Sequence, residues 1–365
     1  MNAPFQRFYE IDLLRFLAAL AVVLFHYAFR GFAADDMSVL TFPMLGEVFR
    51  YGYLGVELFF IISGFVILMT ASNTNPTGFV ISRISRLYPA FWLAVTLTYA
   101  VIVLWGAPRF DATFSQYIYN LSMISGYVYI PHIDEVYWTL LVEMKFYFLV
   151  FIILVVRQIK HIKYFLTLWL AYSWLAQFIE FDSYTHFFLF PHYASCFIGG
   201  AIFYLIRTQG ISVDKAVLLV AAMALSLWVG FKDAVDMQQQ YAVAYSPSIV
   251  AGIILSFYLL FGWISLKGIK GLQHPLVVTV GALTYPLYLI HQNIGFIAFN
   301  RLAGSMNRYL LLLATVIVML IAAYIIQRYV EKPVSRWMKR LLRAMAARLW
   351  IPEKRTESSE IRCRG

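Results

Sequence analysis

Two polar residues, Arg15 and His26, stand eleven positions apart in the apolar segment "RFLAALAVVLFH". In a helix, at about 100° and 1.5 Å per residue, their side chains lie on one face and about 16 Å apart along the axis. An arginine can hold an anion, and an imidazole can exchange a proton near neutral pH. The spacing therefore predicts an anion site and a proton-transfer site on one helix face. The alternatives are an interfacial anchor for Arg15 and a structural hydrogen bond for His26.

A second pair of cations, Arg83 and Arg86, occurs with i,i+3 spacing in "SRISRLYPAFW". Residues three apart lie on the same side of a helix. Two guanidinium groups placed in this way can bind phosphate oxygens through forked hydrogen bonds. The alternative is the ordinary basic charge that flanks membrane segments on their cytoplasmic side.

Two glutamates lie in apolar segments, where an ionisable side chain is costly unless it is paired or faces water. They are Glu143 in "YWTLLVEMKFYFL" and Glu57 in "GVELFFIISGF". A carboxylate can orient an imidazole or accept its proton. Glu143 is therefore the first candidate for an acidic partner of His26, and Glu57 is the second. A structural salt bridge is the alternative for Glu143, and Ser63 is expected to serve helix packing.

Three further residues are candidates for substrate contact. Tyr288 and His291 occur in "YPLYLIHQN", where a proline can break a helix beside a cavity. Trp138 opens the segment that contains Glu143, and its ring can stack on a ligand. The alternative for Trp138 is a place in the aromatic belt at the membrane interface.

The composition of the chain indicates a polytopic membrane protein. Of its 365 residues, 61% are hydrophobic and 13% are charged, whereas soluble domains carry about 25% charged residues. A spanning helix needs about 20 mostly apolar residues. Ten stretches qualify: residues 11–29, 52–71, 88–106, 138–156, 164–180, 187–206, 214–231, 247–266, 275–299 and 307–330. We therefore predict an all-α fold of about ten transmembrane helices.

The distribution of charge indicates the orientation of these helices. The net charge is +10, and its basic residues concentrate in alternate connections and in the C-terminal tail. This alternation predicts that both termini are cytoplasmic. Because membrane topology explains where the basic residues lie, the positive net charge does not indicate a nucleic-acid partner. Residues 1–333 are predicted to form a single transmembrane domain, and residues 334–365 a basic cytoplasmic tail with a disordered end. The two cysteines support neither a disulfide framework nor a metal site.

The segments quoted above, together with "EKPVSR", resemble the acyltransferase 3 family of integral membrane acyltransferases. This family includes O-acetyltransferases of bacterial surface polysaccharides. Its most specific marks are an Arg-x10-His pair and an Arg-x-x-Arg pair, and both are present in this sequence. The segment "WTLLVEMKFYF" departs from the family pattern, because Met144 and Lys145 stand where Glu-Gln is usual.

The resemblance implies a multi-pass protein of the bacterial cytoplasmic (inner) membrane with acetyl-CoA, or another short acyl-CoA, as donor. The implied acceptor is a hydroxyl of a cell-surface glycan or a lipid-linked oligosaccharide. Arg15, Arg83 and Arg86 would hold the CoA phosphates, and His26 would take the proton of the attacking hydroxyl. Direct transfer and an acyl-histidine intermediate both remain open, and no metal is expected.

The alternative from another class is a transporter or flippase of a lipid-linked glycan, without transferase chemistry. Many spans and buried charges would also suit that function. Two observations disfavour it: no internal repeat relates the two halves of the chain, and the buried charges cluster in the first four predicted spans.

Overall fold

A computed structural model of the protein describes residues 8–34, 36–268 and 273–349, and its named elements are all helical. The α-helices are α1 (Tyr9–Phe25), α2 (Gly31–Ala33), α3 (Pro43–Phe49), α4 (Gly55–Ala71), α5 (Pro76–Val101), α6 (Phe114–Asn120), α7 (Trp138–Val155), α8 (Ile162–Leu175), α9 (Ser183–Leu189), α10 (Pro191–Gln209), α11 (Val213–Tyr241), α12 (Pro247–Leu266), α13 (Pro275–Ile290), α14 (Gln292–Leu302), α15 (Arg308–Ile325) and α16 (Lys332–Leu349). Short 3₁₀ turns cover Arg50–Leu54, Ser125–Val128, Glu135–Tyr137 and Ile159–His161, and π-helical turns cover His26–Arg30, Ile102–Gly106 and Ile326–Glu331.

Several of these helices begin where the sequence supplies a proline. A proline at the first helical position costs no hydrogen bond, because the first N–H groups of a helix have no partner within it. The helices that start in this way are α3, α5, α10, α12 and α13. At the start of α5, the Asn75 side chain also accepts a hydrogen bond of 2.7 Å from the Gly78 N–H, which caps the helix.

Eight helical segments of the described residues are long and apolar enough to cross a membrane, so the chain is an integral membrane protein. They are Tyr9–Ala33, Pro43–Ala71, Pro76–Gly106, Glu135–Val155, Ser183–Gln209, Val213–Tyr241, Pro247–Leu266 and Arg308–Arg348. The all-helical membrane fold agrees with the prediction from composition. The predicted number of about ten spans is not confirmed by these eight, and the cytoplasmic position of the termini stays a prediction.

Two of the ten predicted spans differ from the structure. Residues 164–180 were expected to span, but the helix there, α8, has 14 residues and is therefore about 21 Å long. Residues 275–299 form two helices, α13 and α14, with a break at His291. Hydropathy detects the apolar content of both stretches, but it does not detect where a helix ends or breaks.

The predicted basic tail, residues 334–365, is helical in its first part. Residues 334–349 belong to α16, which packs against α5. The end of the tail, predicted to be disordered, lies outside the described residues.

The most extensive helix contact joins α4 and α10 and depends on two glycines. A Cβ atom on Gly64 would lie 2.1 Å from the Phe197 carbonyl oxygen, and one on Gly200 would lie 1.9 Å from the Ile61 carbonyl oxygen. Only glycine permits this approach of the two backbones. The contact holds α4 rigidly in the bundle, where it also packs on α1. Because α1 packs on α13 as well, these helices form the frame of the cavities described next.

Candidate active site

A cavity with three arginines lies between α1, α4, α5, α7 and α13, and we call it the arginine cavity. It encloses about 790 Å³ of space between atoms. Its charged lining residues are Arg15, Arg83, Arg86 and Glu143. Three cations against one carboxylate leave an excess of positive charge in a largely apolar surrounding. Such a site attracts an anion more strongly than the same charges would in water.

The arginines of this cavity retain hydrogen-bonding capacity. The Nε atom of Arg83 is buried and has no hydrogen-bond partner among the described residues, while its Nη2 donates to Ser82 Oγ at 3.0 Å. The nearest carboxylate oxygen of Asp12 lies 4.0 Å from Arg15 Nη1. A guanidinium has five N–H donors in a fixed plane. The donors that protein atoms do not take fit the oxygen atoms of a phosphate.

Glu143 lies in the arginine cavity and is hydrogen-bonded to Ser63. Ser63 Oγ donates to Glu143 Oε1 at 2.7 Å, and both residues line the cavity. The expectation that Glu143 partners His26 therefore needs correction, because the described contacts pair it with a serine on α4 instead. Helical periodicity placed Glu143 and His26 at comparable depth, but it could not tell which cavity each side chain faces. Ser63, expected only to serve packing, contributes a polar contact as well.

A second cavity, which contains His26, is bounded by α1, α4, α7, α10, α11 and α13, and we call it the histidine cavity. It encloses about 1090 Å³. Its titratable lining residues are His26, Arg30, Tyr53, Glu57, Glu135, His192, Tyr193, Asp233, Asp236, Tyr241 and Tyr288, and Trp138 adds a further aromatic ring. This lining is more acidic than that of the arginine cavity.

The two cavities share part of their walls. Val56 and Tyr288 line both of them. The Tyr288 hydroxyl lies 2.9 Å from Thr139 Oγ1, and it donates to the Val136 carbonyl oxygen at 3.3 Å. Arg15 lines one cavity and His26 the other, so the two residues of the first sequence motif stand on either side of this shared wall. A thin molecule that enters the arginine cavity can therefore bring its far end close to the histidine cavity.

His26 belongs to the π-helical turn His26–Arg30, which directly continues α1. Such turns are rare and frequently occur at functional sites, because they displace side chains from the regular helical positions. His26 is 8% exposed, and its ring packs edge-on against Phe25 with the ring centroids 5.2 Å apart. Its imidazole is therefore held in place while one edge remains accessible.

Hydrogen bonds fix which ring nitrogens of His26 and His291 carry protons. His26 Nδ1 lies 2.8 Å from the Val22 carbonyl oxygen, and His291 Nδ1 lies 2.8 Å from the Tyr288 carbonyl oxygen. A carbonyl oxygen only accepts hydrogen bonds, so both Nδ1 atoms carry a proton. His291 Nε2, 3.1 Å from His26 Nδ1, then accepts from that same N–H. In this tautomer His26 Nε2 has a lone pair that can accept a proton.

His291 is thus the partner of His26, and its expected role as a substrate contact is corrected. It is fully buried and lines neither cavity. Its carbonyl oxygen accepts a hydrogen bond of 2.6 Å from the Tyr27 hydroxyl. No sequence pattern indicates this pairing, because 265 positions separate the two histidines.

The break between α13 and α14 places His291 at this position. Asp134 Oδ2 accepts a hydrogen bond of 3.0 Å from the Asn293 N–H, and the Tyr137 hydroxyl donates to the Leu289 carbonyl oxygen at 3.3 Å. These side chains replace backbone hydrogen bonds that the break removes, as membrane interiors require. Asp134 is fully buried, and burial raises the pKa of its carboxyl to about 7.

The remaining predicted site residues, Glu57, Trp138 and Tyr288, all line the histidine cavity. Sequence reasoning missed the polar residues that join them there. Arg30 pairs with Glu135 at 2.5 Å, and His192 lies 3.1 Å from Asp233. These residues come from distant segments and follow no short motif.

Comparison with known proteins identifies the family to which this site belongs. Residues 8–328 match the family model of an acyltransferase domain, Acyl_transf_3. The chain belongs to the acyltransferase 3 family. This confirms the resemblance drawn from the sequence motifs. Within the described residues, no group of three or more His, Cys, Asp or Glu side chains could hold a metal ion.

One relative of this acyltransferase 3 protein is the exopolysaccharide production protein ExoZ of Rhizobium meliloti (strain 1021). The two are 29% identical over 110 residues, which correspond to 28% of this chain and 34% of ExoZ. The similarity therefore spans about a third of the relative's length. No solved structure matches the chain.

Proposed function

We propose that this protein is a bacterial inner-membrane O-acyltransferase that moves a short acyl group from acyl-CoA to a glycan hydroxyl. Acetyl-CoA is the proposed donor, and a surface polysaccharide or its lipid-linked precursor is the proposed acceptor. The observation that carries the proposal is the pair of cavities with a common wall, one rich in arginine and one containing a polarised histidine. Family membership and the similarity to an exopolysaccharide production protein support it.

In this proposal the arginine cavity binds the donor. CoA carries phosphates at one end and its thioester at the end of a thin pantetheine arm. Arg15, Arg83 and Arg86 bind the phosphates through charge-assisted hydrogen bonds, and the unpartnered Nε of Arg83 fits that role. The arm then extends along α1 toward Tyr288 and brings the thioester to the shared wall. Glu143, held by Ser63, partly offsets the positive charge of the three arginines when no donor is bound.

His26 is proposed to act as the general base and then as the general acid. Its Nε2 takes the proton of the acceptor hydroxyl while the hydroxyl oxygen attacks the thioester carbonyl carbon. When the C–S bond breaks, His26 returns that proton to the sulfur, so the products are the ester and free CoA. His291 Nε2 accepts the hydrogen bond of His26 Nδ1–H throughout, and this contact stabilises the transient imidazolium. His291 thus takes the positioning role that we had expected of a carboxylate.

The test is acyl transfer from radiolabelled acetyl-CoA to membrane glycan in vesicles that contain the wild type or the His26→Ala variant. Both proteins are first shown to insert equally and to bind acetyl-CoA. We expect at least a thousandfold loss of transfer in the variant, with donor affinity within twofold of the wild type. Transfer within tenfold of the wild type would remove His26 from the chemical step.

The same preparation separates the alternatives. Label that the wild-type protein carries before acceptor is added, that neutral hydroxylamine releases and that the His26→Ala protein lacks, would identify an acyl-histidine intermediate, and its absence would favour direct transfer. A wild type that neither binds nor consumes any short acyl-CoA, but moves lipid-linked glycan across the vesicle membrane, would contradict the proposal and establish the flippase function.

A further inference from the structure

The histidine cavity contains more carboxylates than cations. Its carboxylates are Glu57, Glu135, Asp233 and Asp236, and its cationic or basic side chains besides His26 are Arg30 and His192. Arg30 is paired with Glu135, and His192 with Asp233. Glu57 and Asp236 have no ion pair within residues 8–34, 36–268 and 273–349. A ligand in this cavity therefore meets negative charge that the described side chains do not neutralise.

Glu57 also has an unused hydrogen-bond acceptor. The residue is 9% exposed, and its Oε2 atom is buried without a hydrogen-bond partner among the described residues. Tyr53, which lines the same cavity and is 6% exposed, has a buried hydroxyl in the same condition. Buried polar groups are normally paired. Two such atoms in one cavity wall indicate a polar ligand that forms hydrogen bonds with them.

The aromatic side chains of the cavity add a flat apolar surface. The Trp138 and Tyr193 rings lie 5.4 Å apart between centroids, with 34° between their planes. Trp138 is 37% exposed, so part of its ring remains available. Carboxylates that accept from hydroxyl groups, next to an aromatic surface that contacts C–H groups, suit the two kinds of surface that a sugar ring presents.

We propose that the histidine cavity selects its glycan by charge: it binds a neutral or amino sugar and rejects an acidic one. Glu57 Oε2 accepts a hydrogen bond from a sugar hydroxyl or ammonium group, and the same charge repels the carboxylate of a uronic acid or a phosphate. The inference rests on the proposed function only in treating this sugar as the acyl acceptor. It further requires that any lipid-linked phosphate of the acceptor stays outside the cavity.

Binding of three matched probes to the full-length protein in nanodiscs tests the inference without any acyl donor. The probes are p-nitrophenyl β-glucoside, the corresponding 2-amino-2-deoxyglucoside and the corresponding glucuronide, and affinities are measured by calorimetry or saturation-transfer NMR at pH 9, so that the carboxyl groups of the cavity are ionised. We expect the glucuronide to bind at least tenfold more weakly than the other two. Glu57→Gln, which keeps an acceptor oxygen but removes the charge, should reduce this gap at least threefold.

Asp214→Asn is the matched control, because Asp214 is an exposed carboxylate paired with Lys163 away from the cavity. It should leave the gap unchanged. Glucuronide binding as tight as glucoside binding would overturn the inference, as would binding of none of the three probes. An unchanged gap in the Glu57→Gln protein would overturn the role of Glu57. Acetyl-CoA binding and acyl transfer are measured on the same samples and report on the proposed function. Charge-selective sugar binding without acyl transfer would contradict the proposed function while leaving the charge selection intact.

Discussion

The arginine cavity and the histidine cavity share a wall but have opposite charge. Three arginines and one glutamate line the first, whereas four carboxylates and one arginine line the second. The supporting backbone differs as well: continuous helices α1, α4, α5 and α7 surround much of the first cavity, and the break between α13 and α14 lies behind the histidine of the second. In the proposed function, this difference would direct an anionic donor and a non-anionic acceptor to different sides of Tyr288.

The strongest test of this comparison removes two cations from the arginine cavity. In the Arg83→Ala/Arg86→Ala protein we expect the KM for acetyl-CoA to rise at least about a hundredfold, because each charge-assisted hydrogen bond contributes about 1.5–3 kcal/mol. The KM for the acceptor should change less than threefold. Steady-state kinetics with each substrate varied in turn provides the measurement. The control is Lys160→Ala, which removes an exposed cation away from either cavity. Equal increases in the KM for acetyl-CoA and the KM for the acceptor would show that the two cavities do not bind the two substrates separately.

A second test concerns the support of the histidine. His291→Leu should lower kcat about thirtyfold and leave both KM values within threefold, because the substrates do not touch this residue. His291→Gln, whose side-chain oxygen can accept from His26 Nδ1–H, should restore kcat to within about fivefold of the wild type. Kinetics of both variants distinguish positioning from packing. If leucine and glutamine lowered kcat equally, the hydrogen bond would have no catalytic role.

The smallest expected effect tests the broken helix. Burial raises the pKa of Asp134 to about 7, above its value in the unfolded chain, so its protonated form contributes stability at low pH that is lost as the pH rises toward 7. Asp134→Asn stays neutral, but its single acceptor oxygen can serve only one of the two backbone N–H groups, of Val136 and Asn293, that donate to Asp134. The loss of that bond does not depend on pH, so the stability of the variant relative to the wild type should still rise between pH 5 and pH 8. We expect a relative gain on the order of 2 kcal/mol, or about 4 °C in Tm.

Thermal unfolding in detergent at several pH values checks this prediction. Glu135→Gln serves as the control for a neighbouring carboxylate that is half exposed at its side chain. A Tm difference between wild type and Asp134→Asn that does not vary with pH would show that Asp134 does not titrate with folding.

The sequence predicted the membrane class, most spans and several of the residues that line the two cavities, because these depend on local patterns. Apolar runs of about 20 residues mark helices, and an eleven-residue spacing puts Arg15 and His26 on one face. The failures concern long-range contacts. Glu143 is the first sequence candidate for the acidic partner of His26, because both lie at a comparable depth in their predicted spans. In the structure, Ser63 on another helix donates a hydrogen bond to Glu143 in the arginine cavity.

The pairing of His26 with His291 was equally out of reach of sequence reasoning. It requires α1 to pack on α13 and requires a helix break at one residue, and both depend on the whole bundle. The sequence partly indicated the break, because Pro286 lies five residues before His291 and a proline can interrupt a helix. Its exact position depends on Asp134 and Tyr137, which cap the interrupted backbone from elsewhere in the chain.

The wall that Val56 and Tyr288 form between the cavities also has a consequence for the permeability of the membrane. The proposed function requires the two cavities to receive their reactants from opposite sides of a membrane, and a membrane that holds an ion gradient cannot contain a continuous water channel. In that function, the wall would therefore have to block ions at the place where an acyl group passes. Val56→Gly is then expected to connect the two cavities, and the variant should dissipate the membrane potential of proteoliposomes as a measurable current.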